Sequence, residues 1–141
     1  MPSVILEWLI RHGWEGPQGA LAGYAERERR GLAGSDPMPI RTAVTQLVEA
    51  ARAKDLAARL PERQSSAFVE RAESSIETIL DDYCGTPPRH IPWPWPGPPP
   101  WVFEIVSALS AEAYAVEAGG LRDNLLDIAG RALQKAGALA Q

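Results

Sequence analysis

The stretch that decides how this chain folds is Cys84–Trp101, CGTPPRHIPWPWPGPPPW. Proline fixes φ and carries no backbone N–H, so a run this dense in proline cannot lie inside a helix or a sheet. The run holds most of the chain's 13 prolines, three of its 5 tryptophans, one of its 2 histidines and its only cysteine. On either side, apolar residues recur at helical spacing. The segment therefore divides two helical halves, and its length governs how they can be joined.

That length is considerable. At about 3.1 Å per residue, 87–100 in polyproline form would reach roughly 43 Å. A helix over 62–83 is roughly 33 Å long at about 1.5 Å per residue. The expectation is a strap over 85–100, packed on the bundle, that carries the chain back along it. The helix after the strap would then run parallel to the one before it. Trp93, Trp95, Trp101 and Ile91 favour such packing, since each gains about 1.5–3 kcal/mol on burial. Three residues complete a polyproline turn, so Trp95 shares a face with Pro92 and Pro98, and Trp93 with Pro96 and Pro99. One indole is expected against the bundle and the other facing out.

Working back from the strap, Phe68, Val69, Ala72, Ile76, Ile79, Leu80 and Tyr83 make the strongest 3.6-residue stripe in the chain. Pro61 opens this helix. Before it, Ile40, Val44, Leu47, Val48 and Ala51 form a second stripe, in a helix expected to end near Leu60. So short a connection predicts a tight αα-hairpin. Beyond the strap, Val102, Ile105, Val106, Leu109, Ala113 and Val116 mark a third helix, ended by Gly119–Gly120. Leu121, Leu125, Ile128, Ala129, Ala132, Leu133 and Ala136 carry a fourth, with Asp123 suited to its first turn.

Residues 1–36 read as an N-terminal arm of one or two helices. Ser3 is positioned as an N-cap before Val4, Ile5, Trp8 and Leu9, with Gly13 as the stop. A strand over Val4–Ile10 is the alternative. Pro17 opens a second segment with Leu21, Tyr24 and Ala25 on one side and ERERR (26–30) outside, where Glu26 and Arg30 can pair. The whole is an all-α single helical domain over 1–141: arm 1–36, first hairpin 37–84, strap 85–100, second hairpin 101–141.

Composition narrows the function classes. The formal net charge of −4 gives no bulk attraction for nucleic acid or an anionic membrane. Residues 1–60 sum to +1 and 61–141 to −5, so a basic partner suits the second half better. One cysteine cannot form an internal disulfide, and no run approaches the roughly 20 apolar residues of a membrane span. The expected setting is the cytoplasm of a bacterium, the last inferred from abundant alanine and an excess of arginine over lysine.

Chemistry is hard to place. Cys84 and His90 lack the third group a thiolate nucleophile needs, and a single cysteine falls short of a zinc set. Cys84 reads as a small apolar group closing a helix. Glu73, Glu77 and Asp81 share a face lying mostly opposite the apolar stripe and read as solvated charge. Neither histidine follows a glutamate three residues earlier, as a di-iron bundle requires. Phosphate-cradle, nucleophile-elbow and nucleic-acid motifs are lacking. The resulting expectation is no catalytic residue, no cofactor and no metal.

The leading reading is a non-enzymatic interaction protein, a helical adaptor or assembly subunit that binds a protein partner or itself. Its candidate contacts are Arg89, His90, Trp93, Trp95 and Trp101, because Trp and Arg are enriched at binding hot spots. Pro96 and Pro99 also meet the spacing of a PxxP ligand, at low specificity. Two alternatives stand beside it. One is a small-molecule site or minor enzyme under the strap, with Tyr83, Arg89 and His90 as its polar groups. The other is an inhibitor or immunity-type protein binding a basic partner.

Overall fold

A computed structural model describes residues 37–85 and 100–137, with side chains placed from 41 to 85 and from 101 to 137. These residues form four helices and no strands: α1 (Pro37–Ala57), α2 (Glu62–Cys84), α3 (Pro100–Ala115) and α4 (Gly120–Lys135). They make an all-α bundle. The N-terminal arm and the stretch 86–99 fall outside the described residues.

Local sequence accounts for the helix ends. Proline is tolerated in a first turn, where N–H groups have no intrahelical partner, so α1 can begin at Pro37. It stops at Ala57 because Leu60 precedes a proline and Pro61 cannot donate to a preceding turn. Shortened bonds tighten that end, with Arg59 N donating to Leu56 O and Leu60 N to Ala57 O, both at 3.0 Å. Pro61 then serves as N-cap of α2, its carbonyl accepting from Gln64 N and Ser65 N at 2.9 Å. Glu62 in the first turn complements the positive helix end.

Two antiparallel hairpins result, α1 with α2 and α3 with α4. They dock with α1 against α4. Asn124 Nδ2 donates to Ala51 O at 3.2 Å, and Gly120 lies against the carboxylate of Asp55. Since 51 meets 124 and 55 meets 120, α1 and α4 run antiparallel. A side chain at 120 would have to push Asp55 aside, so glycine there permits the close approach.

The core fills the space between the hairpins. Leu47 of α1, Ile76 and Leu80 of α2, Ile105 and Leu109 of α3, and Leu125, Ile128 and Leu133 of α4 are fully buried. At about 1.5–3 kcal/mol per large side chain, this burial is the main favourable term. All eight belong to the apolar stripes read from the sequence.

The expected topology is corrected by one bond. Trp101 Nε1 donates to Tyr83 O at 2.7 Å, which puts the start of α3 beside the end of α2. The chain leaves and re-enters the bundle at the same end, and α3 runs antiparallel to α2, not parallel. Contour length sets only the greatest distance a segment can span, and the prolines did not dictate that it be used. The third helix also ends at Ala115, before the glycine pair, and Gly120 is the first residue of α4.

Helix ends are closed by side chains from the next element. The Trp101 bond satisfies a carbonyl in the last turn of α2. At the end of α3, Arg122 Nε donates to Ala113 O at 2.9 Å and Nη2 to Val116 O at 2.6 Å. The same guanidinium lies over the Tyr114 ring, 5.4 Å from its centroid. Among the described residues, no helix is long and apolar enough to cross a membrane.

Candidate functional site

Of the sequence-selected contact residues, Arg89, His90, Trp93 and Trp95 lie outside the described residues. Trp101 is half-buried, packed on the core and bonded to Tyr83 O. Cys84 ends α2 with no exposed surface, and burial pushes its thiol up to about 12. A thiol held protonated at neutral pH is a poor nucleophile and a poor metal ligand. It packs as the small apolar group expected of it.

The carboxylates Glu73, Glu77 and Asp81 need a correction. They do not form a free solvated face. Glu73 Oε1 lies 2.6 Å from Lys54 Nζ of α1, and Glu73 Oε2 lies 3.0 Å from Arg131 Nη1 of α4. Glu77 meets Arg131 and, at 2.9 Å, Lys135 Nζ, which reaches Asp81 Oδ1 at 2.7 Å. Asp127 completes the set 3.5 Å from Arg131. The helices α2 and α4 run parallel here, so acids spaced by four on one climb past bases spaced by four on the other.

This seam shifts its own titrations. Hydrogen bonding from Lys54, with the charge of Arg131, holds Glu73 below its ordinary value of 4.5. Lys135 and then Arg131 do the same for Glu77. Bonds to Asp81 and Glu77 raise Lys135. Each carboxylate therefore meets at least one cation, with Arg131 and Lys135 shared among them, and the arrangement binds helices together. No group of metal-ligating side chains occurs among the described residues.

An apolar groove lies on the other side of α2, against α1. Its volume is about 340 Å³, and its apolar lining includes Ala50, Ala53, Ala72 and Ile79. Three alanines in that lining keep the two helices from filling the space between them. Phe68 stands at the edge, 47% exposed, with the Arg71 guanidinium 5.6 Å from its ring centroid. Glu49 on α1 and Arg71 on α2 line opposite rims. Leu56 and Leu60, 60% and 39% exposed, lie toward the tip of the same hairpin. Sequence reading placed Phe68 in the core stripe. The α1 residues that face it at 50 and 53 are alanines, and Ala72 one turn further along α2 is small as well, so the space beside the Phe68 ring is left unfilled.

Comparison with protein-family models, curated proteins and solved structures finds no match to this chain.

Proposed function

We infer that this chain is a non-enzymatic interaction protein, a helical adaptor or assembly subunit, working in a bacterial cytoplasm. The observation that carries the reading is the α1/α2 groove, where Phe68 is left half in water beside a row of alanines. Leaving a large aromatic side chain half exposed forgoes about half of its transfer free energy, and apolar patches of this kind mark contact surfaces. The charged residues nearby favour the same reading. Those of the α2/α4 seam are paired with one another, whereas Glu49 and Arg71 stand on the groove rims, where a partner can meet them.

The test is capture by the immobilised full chain, comparing the wild type with Phe68→Glu. Loss of a specific partner with unchanged helicity by circular dichroism supports the reading. Equal capture by both proteins removes the groove from it. A Trp93→Ala/Trp95→Ala variant run alongside shows whether the proline segment contributes.

A further inference from the structure

The groove carries its own knob and its own hole, and it carries one charge of each sign on opposite walls. We propose that its occupant is a second copy of this chain, docked α1/α2 face to α1/α2 face about a two-fold axis parallel to the hairpin. This rests on the interaction reading above and names the partner.

The geometry follows from the antiparallel pairing. Counting back from the hairpin turn at 58–61 along the two antiparallel helices puts Ala53 near the level of Phe68, Ala50 near Ala72 and Gln46 near Ser75, all of them lining residues of the groove. A two-fold axis along the hairpin lays α1 of one copy over α2 of the other without changing height. Phe68 is then set over the partner's Ala53 and the partner's Ala50, the smallest side chains on the face. By symmetry the partner's Phe68 fills the same recess in the first copy. An axis perpendicular to the helices would instead lay α1 on α1, setting Glu49 near the partner's Glu49.

Charge selects the same axis. With α1 over α2, Glu49 faces the partner's Arg71, and Arg71 faces the partner's Glu49. Like charges would oppose association, and here both contacts are attractive. Arg71 already lies over its own Phe68, so the ring and the cation present themselves as one unit.

Size sets the strength. Two helices about 30 Å long and about 10 Å apart offer a face at the low end of specific interfaces. The dimer should accordingly be reversible, with a dissociation constant on the order of micromolar.

The experiment is sedimentation equilibrium of the full chain across a concentration series, with circular dichroism on every variant. Wild type should move from one chain's mass toward two. Phe68→Glu should remain monomeric at every concentration with full helicity. Glu49→Arg and Arg71→Glu alone should each weaken the dimer by at least roughly tenfold. The double variant Glu49→Arg/Arg71→Glu should recover most of that loss, since both contacts reverse together. A monomeric wild type throughout the series overturns the proposal. Dimerisation that survives Phe68→Glu, or that the double reversal fails to restore, overturns the geometry. A monomeric wild type that still loses a defined heterologous partner on Phe68→Glu sinks the self-association alone and leaves the adaptor reading standing.

Discussion

The two hairpins are built alike and finished differently. Each is a pair of antiparallel helices closed by a short turn. In α3/α4 the apolar surface is taken up by the bundle, and α3 buries even Ser107 and Ser110 along with Val102, Ile105, Val106 and Leu109. In α1/α2 the inner stripe is equally buried, but Leu56, Leu60 and Phe68 stay at the surface. All three exposed large apolar residues of the described chain thus belong to one hairpin. The same apolar stripe can serve folding on one side of a helix and contact on the other. What separates the roles is whether a neighbouring element is large enough to fill the gap.

The largest expected effect tests the sealed side. Leu109→Ala removes a fully buried side chain at the centre of α3 and should destabilise the fold by about 2–5 kcal/mol in urea denaturation. A cost below about 1 kcal/mol would mean that the α3 side is as loosely packed as the groove, and the contrast between the hairpins would fail.

The ion-pair seam comes next, because it holds the outward hairpin to the inward one. Arg131→Ala strips one partner from each of Glu73, Glu77 and Asp127. These groups are only partly buried, so a loss of about 1–2 kcal/mol is expected, well short of that for a fully buried pair. The pH dependence has a definite sign. Glu73 and Glu77 are depressed below 4.5 in the fold, so their contribution is complete above that pH and lost as pH falls through their folded values. Lys135 is raised above 10.5, so its contribution holds below that pH and is lost as pH rises beyond it. Urea midpoints from pH 7 to pH 3 should fall for wild type and fall less for Arg131→Ala. Parallel curves would show that the pairs do not couple to folding.

A smaller effect is expected where the two hairpins join. Trp101→Phe keeps the apolar contact and deletes the N–H that closes the end of α2, for a loss of about 0.5–1.5 kcal/mol. Retained wild-type stability would mean that water replaces the indole at Tyr83 O without cost.

The four helices of the described residues, the first hairpin and the core stripes were legible because periodicity is a local property. Pro61 and the stripe from Phe68 to Tyr83 announced α2 and its turn without reference to anything distant. The order of packing was not legible. Glu73, Glu77 and Asp81 looked solvated because Arg131 and Lys135 lie more than fifty residues away, on a helix whose docking depends on how the core closes, and because Lys54, the other partner of Glu73, sits on the neighbouring helix α1. Arg131 and Lys135 carry the same spacing of four, so matching stripes on α2 and α4 could have suggested a seam. The direction of α3 failed for a different reason. Proline content gave the reach of 87–100, whereas a single bond from Trp101 to Tyr83 O fixes where the chain returns. The groove was hidden because a helical stripe says which residues share a face, and the small size of Ala50 and Ala53 opposite that face decides whether the face is filled.

The smallest expected effect bears most directly on function. Phe68→Ala should change the stability of the dilute monomer by no more than about 0.5 kcal/mol, since the ring is nearly half in water at the edge of the groove. A second copy that binds only the folded chain adds stability by mass action, so the wild-type melting temperature should rise with protein concentration. Phe68→Ala should remove that rise while leaving the dilute melting temperature in place. The difference between the two proteins should then be near zero at low concentration and grow as concentration increases. A constant difference at all concentrations would assign Phe68 to the packing of its own hairpin, and the α1/α2 face would be finished in the same way as α3/α4.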